Sequence, residues 1–250
     1  VVKDTSWSSA AGYVAQPAVA GTYRVEAEVV GLATGKSDVQ TVTAAVQALK
    51  LTRYGGTKLI VGKGLYNHYN ELYVERMING VVSNGAEAVT VNLRCVAAEV
   101  CTTPATVTIP AGQSRAYINV TGVDVGSTQI EATADGATAA TPVPVEVIVP
   151  VVRFNSLDNN RTTSSVRDDF SITLTVPGAY WSENQYAIKT LQVNVLLTDQ
   201  SPAGVVNGIY NSSNSLITQL TVAKDTSWSS ASGYVAQPPV AGTHRVEAEA

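Results

Sequence analysis

The two histidines of this sequence, His68 and His244, are the side chains best suited to acid–base chemistry near neutral pH. A nucleophilic site needs such a base beside its serine, threonine or cysteine. His244 is replaced by Tyr23 in a second copy of the same segment, so an essential role for it is not expected. His68 lies in a stretch rich in tyrosine and asparagine, where a packing or surface role is expected. The sequence contains no GxSxG, GxGxxG, phosphate-loop or HExxH motif, and we predict that the chain is not an enzyme.

Cys95 and Cys101 are separated by six positions and lie between two strand-like segments. A disulfide between them would close a small hairpin loop and would indicate an oxidising compartment. The alternative is a pair of free thiols in a cytosolic loop. A zinc site would need about four ligands, and nothing near the cysteines supplies the others. We predict the disulfide.

Three carboxylates near the start of the last third of the chain could serve calcium binding or glycoside hydrolysis: Asp158, Asp168 and Asp169. Calcium between modules would stiffen a stalk. Their spacing matches neither an EF-hand loop nor a nonapeptide repeat, so they stand only as calcium candidates. No other metal or cofactor is predicted.

Asparagine sequons and tryptophans are the remaining candidate surface sites. The sequons begin at Asn119, Asn160 and Asn211, and Asn119 is expected on the outward face of its strand. Trp7 and Trp228 occupy the same place in two copies of KDTSWSS, and Trp181 follows Tyr180. Exposed aromatic rings could bind carbohydrate by stacking. A buried indole is also a common centre of a β-sandwich, and we interpret the tryptophans as core or junction residues.

The sequence contains an internal repeat that includes some of these candidate residues. Residues 1–29 recur as residues 222–250, a shift of 221 positions (from 1 to 222), which is typical of recent duplication in a tandem array. We therefore expect the chain to be a segment of a longer array. The two copies differ at only five paired positions: Val2/Ala223, Ala11/Ser232, Ala18/Pro239, Tyr23/His244 and Val29/Ala250.

A weaker similarity relates residues 20–43 to residues 125–148, at a shift of 105 positions (from 20 to 125). It predicts two related modules per period: a complete module A at residues 44–149, and a module B at residues 150–250 that continues beyond the end. Residues 1–43 are then the C-terminal half of a preceding module B. Neither terminal piece completes a module, so its edge strands should be satisfied by more chain or by a neighbouring molecule.

Alternating apolar and polar residues predict half-buried strands over much of the chain. The clearest are Val89–Arg94, Ala116–Thr121, Phe170–Val176 and Leu191–Leu197, with turn signals between them. The stretch Leu65–Val82 fits this pattern less well and is expected to form a short helix or an inserted strand pair. Its Tyr66, and Tyr186 in a partial echo of the stretch, are interpreted as core or junction residues.

Composition supports an all-β protein and excludes two classes of partner. Only 36 of 250 residues are charged, which is well below the usual quarter, and the net charge is −4. Nucleic-acid binding needs clustered lysine and arginine, which the sequence lacks, and an anionic membrane surface is excluded for the same reason. Direct membrane insertion of this segment is not expected. The pattern predicts tandem β-sandwich modules with Greek-key connections.

Residues 86–136 contain the motifs VTVNL, PATVTIPAG and GVDVGSTQIEA. This stretch resembles the bacterial immunoglobulin-like repeats of invasin- and intimin-type surface adhesins and extracellular fibres. The resemblance implies immunoglobulin-like sandwiches on the cell surface that act as stalks, spacers or filament subunits. The cysteine pair in the variable loop departs from the family pattern and leaves the role of that loop open.

Three functions remain in consideration. The preferred one is a structural repeat of an extracellular filament, stalk or adhesin, acting through end-to-end packing of modules, with neighbouring copies or adjacent repeats as partners. The second is a module that binds surface glycans or a host protein. The third is an ancillary domain of a secreted hydrolase. A fibre could be one continuous polypeptide or many subunits joined by strand exchange.

Overall fold

The structure is a computed structural model that describes residues 13–14, 20–179 and 183–249. The chain divides into two compact units, Val1–Val46 and Gln47–Ala250. In the described residues every regular element is a β-strand. A search of the same residues found no helix with the length and apolarity needed to cross a membrane.

The described part of the first unit consists of two short antiparallel ladders. β1 pairs with β4 and β2 pairs with β3, and nearly all of their residues are exposed. The four strands are β1 Gly21–Tyr23, β2 Glu26–Ala27, β3 Gly35–Lys36 and β4 Gln40–Val42.

The second unit begins with a β-sandwich formed by residues 47–148, called here the first sandwich. Its strands are β5 Gln47–Arg53, β6 Leu59–Gly62, β7 Leu65–Tyr66, β8 Leu72–Ile78, β9 Val81–Val82, β10 Val89–Cys95, β11 Cys101–Thr102, β12 Thr106–Ile109, β13 Arg115–Tyr117, β14 Thr121–Gly122, β15 Gly126–Thr133 and β16 Val143–Ile148.

The first sandwich has the immunoglobulin-like strand order. One sheet runs β13-β8-β5, with β9 paired to β8, and the facing sheet runs β12-β10-β15-β16-β6. The chain crosses from β12 to β13 and back to β15, which is a Greek-key connection, and β16 lies parallel to β6. Alternate residues of β10, namely Val91, Leu93 and Cys95, are buried in the core between the sheets. A fully buried Val or Leu stabilises such a core by about 1.5–3 kcal/mol.

Residues 151–249 form the second sandwich. Its two sheets run β17-β18-β23-β21 and β22-β20-β24, and its core includes Phe170, Val193 and Val246. The strands are β17 Val151–Asn155, β18 Asp168–Thr175, β19 Tyr186–Ala187, β20 Leu191–Ser201, β21 Ile209–Asn211, β22 Gln219–Val222, β23 Gly233–Val235 and β24 Thr243–Glu249.

These elements confirm the predicted fold class of immunoglobulin-like β-sandwiches with Greek-key connections. In β10 and at the start of β20 buried and exposed residues alternate as the sequence pattern predicts. β18 differs, because Thr173 and Thr175 on its polar side are also buried. Thr173 accepts a hydrogen bond from the Asn155 side chain of β17, which explains how this polar face is covered. The stretch Leu65–Val82 forms strands and not a helix.

Candidate functional site: the junction between the two sandwiches

The two sandwiches share a four-stranded sheet that runs β11-β14-β7-β19. Its first three strands belong to the first sandwich, and β19 belongs to the second. β7 and β19 pair antiparallel, with Leu65 opposite Ala187 and Tyr66 opposite Tyr186. The backbone ladder therefore continues from one sandwich into the next.

Leu65 carries the hydrophobic part of this junction. Although it belongs to the first sandwich, its side chain is buried in the core of the second, in the cluster that contains Phe170 and Val176. Ile60 and Ile148 of the first sandwich pack against the same cluster. Separation of the sandwiches would expose these side chains to water, which costs free energy in proportion to the apolar area uncovered.

Gln185 carries the polar part of the junction. Its side chain is 1% exposed, and its Oε1 accepts a hydrogen bond of 2.8 Å from the backbone N–H of Gly62. Its Nε2 donates a bond of 2.6 Å to the carbonyl of Ile60. The amide thus satisfies two backbone groups on one edge of β6, as a neighbouring strand would. A Cβ added to Gly62 would lie 2.9 Å from Cγ2 of Val176, so the close approach needs glycine.

Aromatic rings cover the rim of the junction. Tyr66 and Tyr186 stack with ring centroids 5.3 Å apart, and the Tyr66 hydroxyl donates to Asp225 over 3.3 Å. Burial, and secondly the Asp225 carboxylate, raises the pKa of Tyr66 above its ordinary value. His68 lies against Tyr69 and Tyr186, with centroids 4.6 Å and 5.9 Å away. The interpretation of Tyr66 and Tyr186 as junction residues agrees with this geometry.

The arrangement of the junction restricts relative motion of the two sandwiches. Backbone pairing, a shared hydrophobic side chain and a buried amide act at the same place, and each would be lost if the sandwiches rotated apart.

Cys101 begins β11, the outer strand of the shared sheet, but both cysteine side chains belong to the core of the first sandwich. Cys95 and Cys101 form a disulfide with their Cα atoms 5.9 Å apart, at the end of β10 and the start of β11. Both residues are buried in the core of the first sandwich. The bond closes the variable loop, which lies between two strands of different sheets.

The calcium candidates are not brought together as a set. Asp168 is buried, accepts a 3.0 Å hydrogen bond from the backbone of Asp158, and lies 4.0 Å from Arg161. Asp169, the next residue of the strand, pairs with Arg167 at 3.1 Å. In residues 13–14, 20–179 and 183–249, no group of three or more histidine, cysteine or acidic side chains has metal-binding geometry.

The sequon asparagines have different environments. Asn119 is exposed between the buried residues Ile118 and Val120, as the strand pattern predicts. Asn160 is exposed at a cleft in the second sandwich. Asn211 is half-buried, and its Oδ1 accepts hydrogen bonds from the backbone of Ser213 and Ser215, which ties this side chain into a turn.

Trp228 is not a core residue, and the other half of its interpretation, as a junction residue, stays a prediction. Its side chain is 54% exposed. Trp228 forms an isolated antiparallel backbone bridge to Thr173 of β18. Trp7, Trp181 and Tyr180 lie outside the described residues.

Sequence reasoning missed the residues that make the junction specific. Gln185 and Leu65 lie in segments without clear strand periodicity, and nothing in their local sequence distinguishes them from surface residues. The only available signal was the weak fit of Leu65–Val82 to the strand pattern, together with the aromatic echo near Tyr186.

Comparisons with known proteins assign no family. No protein-family model and no curated protein matches the chain. Domains 4 and 5 of the S-layer protein SbsC match with 25% identity over 53% of this chain and 68% of theirs, at a TM-score of 0.35. A longer part of SbsC matches with 18% identity and a TM-score of 0.42, and invasin, a bacterial integrin-binding protein, with 12% and 0.32. Each covers 92% of this chain, which spans 26% and 43% of them, respectively.

Proposed function

We propose that this chain is a structural repeat segment of an extracellular surface protein, a stalk, adhesin or filament, whose sandwiches pack end to end and carry tension along the array. The observation that carries the proposal is the junction, in which Gln185 and Leu65 tie two sandwiches into one unit. A near-identical repeat at a period of 221 positions supports an array of such units.

The extracellular location is part of the proposal. The Cys95–Cys101 disulfide supports an oxidising compartment, and the resemblance of residues 86–136 to adhesin repeats supports the cell surface. The proposal gives the chain no catalytic role. His68 contacts tyrosine rings, and His244 is a tyrosine in the other copy of the repeat.

Residual dipolar couplings test whether the junction is stiff. In the full chain, couplings from the first and second sandwiches are expected to fit one alignment tensor. Gln185→Ala leaves the N–H of Gly62 and the carbonyl of Ile60 without these partners, at a cost of about 1–3 kcal/mol for each buried group. Hydrogen exchange at Gly62 should then be at least about tenfold faster. Gln129→Ala, at an exposed position, is the matched control. Two different tensors in the unaltered chain would contradict a stiff array.

Immunogold labelling tests the location and the array. Antibody against the chain is expected to label intact source cells. The label should follow fibres with an axial period of roughly 70–80 Å, the length of two sandwiches with strands of about 7–10 residues. Label that appears only after the cells are lysed would overturn the proposal.

A binding function is the second candidate, and the exposure of Trp228 favours it. An indole that is 54% exposed can stack on the apolar face of a sugar ring. Binding to a glycan array that disappears in Trp228→Ala, with an unchanged unfolding transition, would support this candidate. Equal binding by both proteins would remove it.

A further inference from the structure

β8 is the middle strand of the sheet β13-β8-β5 in the first sandwich. Its Leu72 and Val74 are buried in the core, so the alternating residues Tyr73 and Glu75 turn to the outer face of the sheet. The outer face of an antiparallel sandwich sheet is commonly solvated. Tyr73 and Glu75 are nonetheless only 7% and 6% exposed. Side chains of the neighbouring segments therefore form a packed layer over β8.

Three tyrosines make up much of this layer. Tyr54 directly follows β5, and Tyr117 of β13 lies opposite Tyr73 in the ladder. The ring centroids of Tyr54 and Tyr117 are 6.1 Å and 5.8 Å from that of Tyr73. The two outer rings are 45% and 47% exposed. Packing against Tyr73 therefore holds in place two aromatic rings that a ligand in solution can reach.

A cavity of about 150 Å³ is lined by Tyr54, Asn70, Glu71 and Tyr117. Glu71 is 2% exposed, and its Oε1 accepts hydrogen bonds of 2.9 Å and 3.3 Å from Nη2 and Nε of Arg53. Asn70 is half-buried and contributes an amide, which can both donate and accept hydrogen bonds. Aromatic rings and polar groups thus line the same small cavity.

The carboxylates of this layer are neutralised by the chain itself. Glu71 pairs with Arg53 at 2.9 Å, and Glu75 lies 3.9 Å from Arg115. The Arg115 guanidinium also lies 4.9 Å from the centroid of the Tyr73 ring, so the protein supplies its own cation for that ring. The cavity therefore offers ring faces and hydrogen-bonding groups to a ligand, and this combination suits an uncharged molecule.

We propose that this cavity binds one ring of a neutral carbohydrate chain. A sugar ring has an apolar face that stacks on an aromatic ring, which Tyr54 and Tyr117 supply. Its hydroxyl groups both donate and accept hydrogen bonds, which the Asn70 amide and the Glu71 carboxylate match. The volume lies below the roughly 300–1,000 Å³ of pockets for drug-sized ligands, as expected for a single ring. The inference goes beyond the structural role and does not require Trp228, which lies in the second sandwich.

Two other ligands that bind beside tyrosine rings fit this cavity less well. A proline-rich peptide docks in aromatic-lined grooves through apolar rings. Here those rings would cover Asn70 and Glu71 without giving them hydrogen bonds, which costs free energy. A lysine side chain would have to compete with Arg53 for Glu71. A sugar ring uses the aromatic and the polar lining groups together.

Binding by the full chain tests this assignment. The probes are soluble neutral oligosaccharides of glucose, mannose, galactose and N-acetylglucosamine, each added to the ¹⁵N-labelled chain. We expect changes in amide chemical shift at the four lining residues, Tyr54, Asn70, Glu71 and Tyr117. The dissociation constant should change by less than about twofold between roughly 50 and 500 mM salt, because a neutral ligand forms no ion pair that salt could screen.

Substitution of the two exposed tyrosines tests the role of their rings. Tyr117→Ala removes a stacking surface and should weaken binding at least about tenfold, whereas Tyr117→Phe retains the ring and should stay within about threefold. Tyr54→Ala should act like Tyr117→Ala. The matched control is Tyr13→Ala, at a 93% exposed tyrosine of the first unit. Trp228→Ala should also bind normally, which separates this cavity from a site at that indole.

Thermal unfolding checks that the variants are folded, and the shift changes of the unaltered chain do not depend on any variant. Shift changes away from the four lining residues, no binding to any probe, or equal weakening in Tyr13→Ala would each overturn the proposal. A polyproline peptide or polylysine that binds more tightly than every oligosaccharide would do the same. Labelling of intact cells and the dipolar couplings of the two sandwiches do not depend on this cavity, so failure of this site and failure of the proposed function give different results.

Discussion

The two copies of the repeated segment have nearly the same sequence but very different environments. Tyr13 is 93% exposed and its counterpart Tyr234 is 8% exposed, while Val25 is 48% exposed and its counterpart Val246 is 8% exposed. In both copies the residues alternate in the way that predicts a half-buried strand. At these two pairs of positions, the side chain is buried in the second copy and exposed in the first.

The difference comes from the strands that the segment meets. In the second sandwich, β23 lies between β18 and β21, and β24 pairs with β20 along most of its length. Those partners come from residues 168–211 of the same chain. In the part of the first copy that the structure describes, β1 pairs with β4 and β2 pairs with β3. A segment of this kind specifies a strand and its register, and its core is supplied from elsewhere in the chain.

The largest difference between the two copies is expected when an aspartate is placed at the same position of each and the free energy of unfolding is measured. Val246→Asp places a carboxylate in the core of the second sandwich without a partner, which should lower the free energy of unfolding by about 3 kcal/mol or more. Val25→Asp should change it by less than about 0.5 kcal/mol, because that side chain is half exposed. Urea unfolding followed by tryptophan fluorescence measures both values. Equal losses would show that the first copy also has a packed core in solution.

The sequence predicts features that depend on local alternation of residues, and it does not predict features that depend on contacts between distant positions. The strands, their inward faces and the outward position of Asn119 were predictable, because alternation along β10 and around Ile118 reports directly on burial. The exposure of Trp228 was not, since the local sequence does not show which strand it meets, and its bridge partner Thr173 lies far from it in sequence. The role of Gln185 was hidden for the same reason. Its partners Ile60 and Gly62 lie more than 120 positions earlier in the chain.

Removal of one tyrosine hydroxyl at the same position of each copy should give a smaller difference in stability between the two copies. The Tyr234 hydroxyl donates a 2.7 Å hydrogen bond to Asn214, and its ring stacks on Tyr210 at 5.5 Å. Tyr234→Phe should keep the stacking and lower the free energy of unfolding by about 1 kcal/mol. Tyr13→Phe should have no measurable effect, because that side chain is almost fully exposed. Thermal unfolding of the two variants gives the values. A loss of stability in Tyr13→Phe as large as that in Tyr234→Phe would contradict the difference in environment.

The smallest predicted effect concerns the pair Tyr23/His244, one of the few positions at which the copies differ. Burial, and secondly the nearby Arg161, lowers the pKa of His244 below its ordinary value of 6.5, while Asp168 opposes the shift. Since the unfolded chain binds a proton at His244 at higher pH than the folded chain, stability from this group is complete above about pH 6.5 and is lost as the pH falls through the lowered pKa.

Reciprocal exchange of the two residues tests this assignment. His244→Tyr should reduce the fall in the urea midpoint between about pH 7.5 and pH 5.5, because the titrating group is removed. His68 is present in both proteins, so any contribution from it is the same on both sides of the comparison. Tyr23→His adds a histidine at the same repeat position but in the exposed ladder of β1 and β4, where we expect no additional loss in acid. If the histidine of Tyr23→His lowered stability in acid as much as the native His244 does, the surroundings of His244 would not be the cause of its pH dependence. The two copies would then differ in burial but not in the effect of a charged side chain at this position.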